Sequence, residues 1–383
     1  MYPTFADLLN DLLGTSFCLP IQTFGFFVAL AFISAWATLR HELIRKSKSG
    51  LFPQKTIQVS VGGPIPTSEI GYSILIWGIM GYKLGLVFTQ NNLFCDSPQA
   101  AILSIQGDPI IAAIAAALGG ILKYREYQQK KNHKAEIKST QTCAEYSLGT
   151  VTTLAGIGGL IGAKLFHNLE NLDDFMQDPI RALISFDGLT FYGGLILGSA
   201  AVIYYLRKEK IPLLPYIDAA APALMLAYGV GRLGCQLSGD GDWGIVNLAP
   251  KPSWLSWAPD WAWASTYPHN VIREGIPITD CIGKFCFELP QPVFPTPLYE
   301  VLMGITLAGF LWSLRNRIKI PGQLFAIYLF VNGMERFLIE KIRVNTTIQI
   351  SSFSITQAEF ISSVLMLFGI ILFIRLNKKK SIE

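Results

Sequence analysis

Long apolar stretches recur along the whole chain, and they constrain its fold more than any other feature. Runs of roughly 16–20 mostly apolar residues occur from near the N-terminus to near the C-terminus, which is about the length that an α-helix needs to cross a bilayer. Of the 383 residues, 51% are hydrophobic and only 15% are charged, and the mean hydropathy is +0.39. A soluble domain carries about 25% charged residues. We therefore predict an all-α, polytopic transmembrane helical bundle.

Nine segments are predicted to span the membrane: 21–39, 70–88, 110–124, 148–166, 189–206, 214–233, 298–314, 323–342 and 360–376. Basic stretches follow the first, third, fifth, seventh and ninth of them, and the other connections are acidic or nearly neutral. By the positive-inside rule, the N-terminus lies outside and the C-terminus lies in the cytoplasm. The net charge of +4 therefore reports topology rather than nucleic-acid binding. The segment before the first span lacks the basic region and the small-residue cleavage site of a signal peptide, so we expect the first span to act as its own signal.

A single integral membrane domain is predicted over residues 1–383, with an outer-face loop region at 236–296 between the sixth and seventh spans. This loop is rich in Trp, Pro and Tyr, which suit the membrane–water interface. It also contains Cys281 and Cys286, with four residues between them. On an oxidising outer face we predict a disulfide. A metal site is the less favoured alternative, because the loop has one histidine, His269, in a separate segment.

The stretch YGVGRLGCQLSGDGDWG carries Arg232 at the end of the sixth span. A charge in such a position needs a partner or a ligand and indicates a functional site. The glycines that follow allow the backbone to approach a ligand closely. The sequence therefore predicts a site for an anion or a lipid headgroup at the outer surface.

A second group of charges lies in the eighth span. Arg336, Glu340 and Arg343 are spaced i, i+4 and i+7, so they share one face of a helix, whereas Glu335 and Lys341 point elsewhere. One interpretation is a structural ion pair, with Arg343 extending to the interface. The other is a phosphate site, in which two arginines hold the anion and Glu340 limits its affinity.

A further segment contributes candidates. In SFDGLTFYGGLILG, Asp187 and Tyr192 flank the outer end of the fifth span, and Gly193 and Gly194 allow the close approach of a helix or a ligand.

Two acidic residues lie within apolar sequence. Glu300, in PTPLYE, stands about one turn inside the seventh span, and Asp218 lies in the sixth. Buried carboxylates need partners, and we expect an arginine to be the partner.

Together, the motifs GLIGAKLFHN, DGLTFYGGLI, GRLGCQLSGDGDWG, PTPLYE and RFLIEKIR resemble the prolipoprotein diacylglyceryl transferase family of the bacterial inner membrane. In this comparison residues 70–124 look like a two-span insertion. The resemblance implies a transferase that moves the diacylglyceryl group of phosphatidylglycerol to the lipobox cysteine of a prolipoprotein. A thioether forms and glycerol phosphate leaves, in the first step of lipoprotein maturation. The implied partners are phosphatidylglycerol and the prolipoprotein signal peptide, with no cofactor, metal or nucleic acid.

The resemblance also assigns roles. It implies catalytic roles for Arg336, Glu340 and Tyr192, contact with phosphatidylglycerol for Arg232, Arg343, Gly193, Gly194, Asp187 and Gly244, and supporting roles for Asp218 and Glu300. We expect Arg232, Arg336, Glu340 and Tyr192 to converge on one outward-facing cavity that is open to lipid.

The chain departs from the family pattern at several positions. Tyr192 stands where the family has a histidine that is proposed to act as the base, and Cys235 replaces an asparagine. The glycine loop is one residue longer, Asn332 replaces a tyrosine, and Phe24 replaces another. A tyrosine is a poor base unless nearby cations lower its pKa.

The proton acceptor therefore stays open. It is Tyr192, Asp187 or Glu340, or the thiol loses its proton late and needs no strong base. Two other functions also stay open: a diverged paralogue that binds or transfers another anionic lipid headgroup, and a transporter or scaffold. Clustering of the charges at one membrane face argues against a transporter.

Overall fold

The structure is a computed structural model that describes residues 1–15, 21–61, 65–89, 101, 104–131, 136–142, 144–184, 190–281, 283–345, 347–350 and 353–380. The α-helices within these ranges are α1 (Phe5–Leu13), α2 (Thr23–Lys48), α3 (Ser68–Thr89), α4 (Pro109–Lys130), α5 (Leu148–Glu170), α6 (Leu172–Gln177), α7 (Pro179–Ile184), α8 (Phe191–Lys208), α9 (Leu213–Ser238), α10 (Thr296–Leu314), α11 (Gln323–Glu340) and α12 (Gln357–Lys380). Each of the nine predicted spans overlaps one of these helices.

Six of the nine helices are long and apolar enough to cross a membrane. These are α2, α3, α5, α9, α10 and α12. The other three, α4, α8 and α11, carry charges within or at the end of the apolar stretch: Lys123, Arg125 and Glu126 in α4, Arg207 and Lys208 in α8, and Glu335, Arg336 and Glu340 in α11. The structure therefore supports a mostly helical, multi-pass membrane protein, and the number of nine spans and the orientation of the termini stay predictions.

Three two-stranded antiparallel sheets accompany the helices in the described ranges, and the all-α prediction did not include them. β1 (Lys55–Val61) pairs with β2 (Glu136–Thr142), β3 (Ile276–Pro277) with β4 (Phe287–Glu288), and β5 (Thr347–Ile350) with β6 (Phe353–Thr356). The first sheet pairs Lys55 with Thr142 and Val61 with Glu136. In the sequence of β1, Ile57, Val59 and Val61 alternate with polar residues, the pattern typical of a strand, whereas β2 is polar except for Ile137.

The chain divides into two compact units, and the larger contains residues 1–3, 22–53 and 143–383. In this unit α9 packs against α2 and α10, α5 packs against α8, and α11 packs against α12. Leu43 from α2, Leu148 from α5 and Leu206 from α8 are buried around Tyr216 of α9. Half of the apolar window of α9 is buried, compared with 17% for α2, α5 and α12. The helix that carries Arg232 is therefore at the centre of this unit.

Glycines form the contact between α5 and α8. A Cβ atom at Gly193 would collide with the carbonyl oxygen of Gly162, and one at Gly162 would collide with the carbonyl oxygen of Gly193. Gly194 stands in the same way against Gly159. Small residues at such positions let two membrane helices approach closely. The glycine pair after Tyr192 therefore packs a helix against a helix.

The smaller unit contains residues 4–21 and 54–142. Its helices α3 and α4 pack closely because Gly81 and Gly85 of α3 face Ala115 and Ile111 of α4. Strand β1 precedes α3 and strand β2 follows α4, so their pairing brings the two ends of this helical segment together. That residues 70–124 are an insertion stays a prediction.

Candidate functional site

The end of α9 and the loop after it bring Arg232 into contact with Asp242. The helix ends at Ser238, and Gly239 and Gly241 follow with φ angles of 64° and 96°. Such positive φ angles are readily adopted by glycine, and they turn the chain back. The Asp242 carboxylate then forms an ion pair with Nη1 of Arg232. The charge that the sequence singled out is therefore neutralised by the loop that follows it.

Glu300 lies at the centre of the site. Its side chain has no solvent exposure, and it contacts three guanidinium groups. Oε2 is 3.3 Å from Nε of Arg232, and Oε1 is 3.3 Å from Nη1 of Arg336 and 3.4 Å from Nη1 of Arg343. The prediction that an arginine partners Glu300 is confirmed, and the structure extends it to three.

The C-terminal end of α11 supplies Arg336 and Glu340. Nη2 of Arg336 is 3.0 Å from Oε2 of Glu340, which is the predicted i, i+4 pair. The other carboxylate oxygen of Glu340 accepts a hydrogen bond of 2.6 Å from Nδ2 of Asn345. Glu340 is 4% exposed. A buried carboxylate with both oxygens engaged keeps the guanidinium of Arg336 in a fixed orientation.

Arg343 reaches the site by a different route from the predicted one. The prediction placed it on the same helix face as Arg336, but α11 ends at Glu340. Arg343 instead forms an isolated β-bridge with Gly244, and the amide of Ile245 donates to the carbonyl oxygen of Ile342 at 2.8 Å. A Cβ atom at Gly244 would collide with that carbonyl oxygen. The glycine therefore lets the two backbones meet, and the Arg343 guanidinium bonds Asp242 and Glu300.

Two site residues were missed by the sequence reasoning. The Tyr228 hydroxyl is 3.0 Å from Oε1 of Glu300 and 3.1 Å from Oε1 of Glu335. The Arg232 guanidinium also lies over the Tyr228 ring, 5.4 Å from its centroid. Glu335 does not share the helix face of Arg336 and Glu340, as predicted, but its side chain contacts Tyr228 of α9. A carboxylate within an apolar span is a signal for a functional residue, and it could have identified Glu335.

The acidic residues of the glycine loop differ in their electrostatic environment. Burial raises the pKa of Asp242, but the Arg232 and Arg343 guanidiniums lower it by more, so its pKa lies below the usual range. The pKa of Asp240 is raised, first by burial and then by the negative charge of Asp242. Asp242 is thus held as a carboxylate between two arginines, and an ionised Asp240 is disfavoured.

The comparison with known protein families decides the relationship of the chain. The family model described as prolipoprotein diacylglyceryl transferase matches residues 103–375, which is more than half of the chain. This chain belongs to that family. The matched range includes Arg232, Glu300, Arg336, Glu340 and Arg343, so the ion network lies inside the family's common part.

Several relatives carry the name phosphatidylglycerol–prolipoprotein diacylglyceryl transferase. The one from Corynebacterium efficiens is 33% identical over 227 residues, which cover 57% of this chain and 65% of the relative. The one from Chlorobaculum tepidum is 30% identical over 202 residues, which cover 49% of this chain and 58% of the relative. The one from Leptospira interrogans serovar copenhageni is 26% identical over 217 residues, which cover 50% of this chain and 60% of the relative. The chain thus spans less than two thirds of the length of these relatives.

Asp218 belongs to a different ion network, and the expectation of an arginine partner for it is wrong. Its carboxylate is 3.6 Å from Nζ of Lys46 and accepts hydrogen bonds of 2.8 Å from the amides of Gly322 and Phe325. These amides lie at the N-terminus of α11, whose free N–H groups favour a carboxylate. Because a helix rises 1.5 Å per residue, the contact is about 20 Å from Arg336. Asp218 therefore anchors one end of α11, and the site lies at the other.

The segment around Tyr192 is not joined to the arginines. Tyr192 is half-buried at the start of α8, and its ring contacts that of Phe191. In the part of the chain that the structure describes, no hydrogen bond or ion pair links Tyr192 to the Glu300 network. Asp187 lies outside the described residues. The roles expected for Tyr192, Asp187, Gly193 and Gly194 in catalysis or lipid binding stay predictions.

The cysteines of the loop between α9 and α10 differ from the cysteine in α9. Cys281 and Cys286 form a disulfide, as predicted. Cys235 is a free, buried thiol near Arg232. Its Sγ and the carboxylates of Asp240 and Asp242 lie within 4.8 Å of one another, but the two guanidiniums on Asp242 disfavour a cation there.

Proposed function

We propose that the protein transfers the diacylglyceryl group of phosphatidylglycerol to the lipobox cysteine of prolipoproteins in the bacterial inner membrane. The observation that carries this proposal is the joining of Arg232, Arg336 and Arg343 through the single buried carboxylate of Glu300. Three guanidiniums from distant parts of the sequence thereby meet at one carboxylate. The family to which the chain belongs has members named for this activity.

The arginines bind the lipid phosphate. Asp242 is 35% exposed, whereas Glu300 and Glu340 have no side-chain exposure. Of the three carboxylates, Asp242 is thus the one that an incoming anion can replace. A phosphate between Arg232 and Arg343 accepts the hydrogen bonds that Asp242 now accepts, and guanidiniums suit phosphate oxygens by their planar, forked geometry.

The chemistry breaks a carbon–oxygen bond. The substrate sulfur attacks the glyceryl carbon next to the phosphate, the carbon–sulfur bond forms, and glycerol phosphate leaves with the bonding electrons. Negative charge grows on the phosphate as it leaves, and the arginines stabilise that charge in a site of low dielectric constant. The thiol proton goes to Tyr192, Asp187 or Glu340, or it leaves late with the phosphate.

The proposed orientation places this site outside. The loop after Arg232 follows the sixth predicted span, and the basic stretches lie after odd-numbered spans. With the N-terminus outside and the C-terminus in the cytoplasm, Arg232, Asp242 and the end of α11 face the outer side of the membrane, where the signal peptide of a prolipoprotein emerges.

The test is a reconstituted reaction. Purified protein, phosphatidylglycerol and a lipobox peptide are expected to yield a peptide heavier by one diacylglyceryl group in mass spectrometry. Arg336→Ala is expected to lower the rate about 100-fold or more, the magnitude typical for loss of a group that stabilises charge in the transition state. The matched control is Arg273→Ala, at an exposed arginine of the outer-face loop, and its rate is expected to equal that of the wild type.

Two results together would refute the proposal. No heavier peptide from folded wild-type protein, together with equal lipid binding by the Arg336→Ala and Arg273→Ala variants, contradicts it. A product with another mass would indicate the transfer of a different headgroup. The Tyr192→Phe and Tyr192→His variants separate the proton acceptors, because unchanged turnover in the Phe variant excludes the hydroxyl.

A further inference from the structure

The Tyr228 hydroxyl lies between two buried carboxyl groups. Its oxygen is 3.0 Å from Oε1 of Glu300 and 3.1 Å from Oε1 of Glu335. A phenol carries one proton and donates it to one acceptor. If both carboxyl groups were ionised, one of these contacts would bring lone pairs against lone pairs. The three oxygens therefore require a second proton, which one of the two carboxyl groups carries.

The surroundings of the two groups decide which one carries it. Glu300 contacts the guanidiniums of Arg232, Arg336 and Arg343, and each of them favours the ionised form. Glu335 is 2% exposed, and its Oε2 is buried without a hydrogen-bond partner. Among the described residues, no arginine or lysine nitrogen lies within 4.0 Å of it. An ionised carboxylate in such a place is strongly unfavourable, so the second proton belongs to Glu335.

We infer that Glu335 is held as a neutral carboxylic acid and is a positioning residue of the site. It donates its proton to the oxygen of Tyr228, and Tyr228 donates its own proton to Glu300. Glu300 in turn holds Arg232 and Arg336. The inference rests on the proposed function, because the anion that these arginines are positioned to bind is the lipid phosphate.

The proton on Glu335 also sets the charge of the site. With Glu335 neutral, the three arginines are balanced by Asp242, Glu300 and Glu340, and the sum of formal charges, three positive and three negative, is zero. When Glu335 ionises, the sum becomes −1, and a negative lipid headgroup is repelled. Affinity for the headgroup is therefore expected to fall at alkaline pH, about tenfold per pH unit once Glu335 ionises.

Three helices pack around the part of α11 that carries Glu335, and other titratable groups lie on them. Helix α11 packs against α9, α10 and α12. The groups that act on Glu335 by charge or hydrogen bond are Tyr228, Glu300, Arg232 and Arg336. The other acids on α11 and α12 are Glu340 and Glu359. Glu359 is paired with Lys341, and Glu340 is paired with Arg336. Glu335 is therefore the acid of this set without a cationic partner among the described residues.

The experiment combines a spectrum with a titration. Infrared spectroscopy of the purified protein detects the C=O stretch of a protonated carboxyl group through its shift in D2O. We expect this band in the wild type at neutral pH, its loss on raising the pH, and its absence in Glu335→Gln. Binding of phosphatidylglycerol in mixed micelles is then measured from neutral to alkaline pH. The wild-type affinity is expected to fall by about tenfold per pH unit, whereas Glu335→Gln, which keeps a donor for Tyr228 and cannot ionise, is expected to give a flat profile.

The control is Glu274→Gln, at an exposed glutamate of the outer-face loop, which is expected to show the wild-type band and the wild-type profile. The inference is overturned by a wild-type protein without the band, or by a Glu335→Gln variant that keeps the wild-type pH profile. If Glu335→Gln does not fold, Tyr228→Phe provides the second test, because loss of the acceptor oxygen shifts the band of Glu335. An unshifted band in that variant also overturns the inference.

The spectrum separates this inference from the proposed function, because the band requires neither lipid nor turnover. A protein that shows the titrating band but transfers nothing refutes the transferase and leaves the state of Glu335 established. A protein that transfers the group but lacks the band refutes the inference alone.

Discussion

Glu300→Gln removes one charge from the centre of the site and leaves its shape nearly unchanged. The wild-type carboxylate is fully buried and lies 3.3–3.4 Å from nitrogens of three guanidiniums. The glutamine amide keeps one oxygen as an acceptor, but it cannot pair with a cation, and its NH2 group faces donors. We therefore expect lower stability and weaker binding of anionic lipid, because the arginines lose their common partner.

The magnitude follows from the contacts that remain. Breaking a buried ion pair by removing one partner costs about 3–5 kcal/mol. Arg232 and Arg343 keep Asp242, and Arg336 keeps Glu340, so no guanidinium is left without a carboxylate. The lower limit of about 3 kcal/mol is therefore expected. At about 2 °C per kcal/mol, the value for larger domains, Tm falls by about 6 °C.

The assay is thermal unfolding of the purified protein in detergent, followed by tryptophan fluorescence, together with phosphatidylglycerol binding. Glu288→Gln is the matched control, because Glu288 is half-buried on β4 and its carboxylate contacts the hydroxyl of Thr266. Its unfolding free energy is expected to change by less than about 0.5 kcal/mol. A Glu300→Gln variant that loses less than about 1 kcal/mol and binds lipid like the wild type would show that Glu300 does not join the arginines.

Three further predictions follow from single contacts. Gly244→Ala places a methyl group against the carbonyl oxygen of Ile342; we expect a cost of about 1–3 kcal/mol in thermal unfolding and weaker lipid binding, and an unchanged Tm would contradict the close backbone contact. Asp240→Asn is expected to raise Tm at neutral pH, because burial and the charge of Asp242 raise the pKa of Asp240 in the folded state. The stability of the wild type therefore falls as pH rises through that folded pKa, whereas the variant keeps its stability. Below about pH 3.9 the two proteins are expected to have the same Tm. Asp218→Ala removes the acceptor at the N-terminus of α11 and leaves the buried Lys46 without its carboxylate. It is expected to cost about 3–5 kcal/mol, with equal stability of the two proteins as the contrary result.

Much of the fold could be predicted because apolar length is a local property of the sequence. Each predicted span overlaps a helix, since about 20 apolar residues in succession have few alternatives in a membrane. The ends were less accurate. The eighth span was extended to residue 342, but α11 ends at Glu340, because the backbone after it pairs with Gly244. That pairing joins positions about a hundred residues apart in the sequence, so no local sequence pattern predicts it.

The sequence could predict those site residues that are charges within apolar stretches. It could not predict contacts that depend on how one helix is rotated against another. Arg232, Arg336 and Glu340 were found because each is a charge in or beside a span. Glu335 was set aside because helical spacing excluded it from the face of Arg336, and only the packing of α11 against α9 shows that Tyr228 meets it there. Asp218 was given the wrong partner for the same reason, because its position in the sequence did not show that the N-terminus of α11 lies beside it.

The arrangement of acids around the arginines also bears on how the proposed reaction turns over. Glu300 and Glu340 are buried and hold the guanidiniums from within, whereas Asp242 is partly exposed and belongs to a glycine loop. A lipid phosphate that replaces Asp242 exchanges one anion for another, so the number of charge pairs is the same before and after binding. When glycerol phosphate leaves, Asp242 can return to the same arginines and compete with the product. The loop carboxylate thus lowers the affinity of the site for any phosphate, which favours product release at the cost of tighter substrate binding.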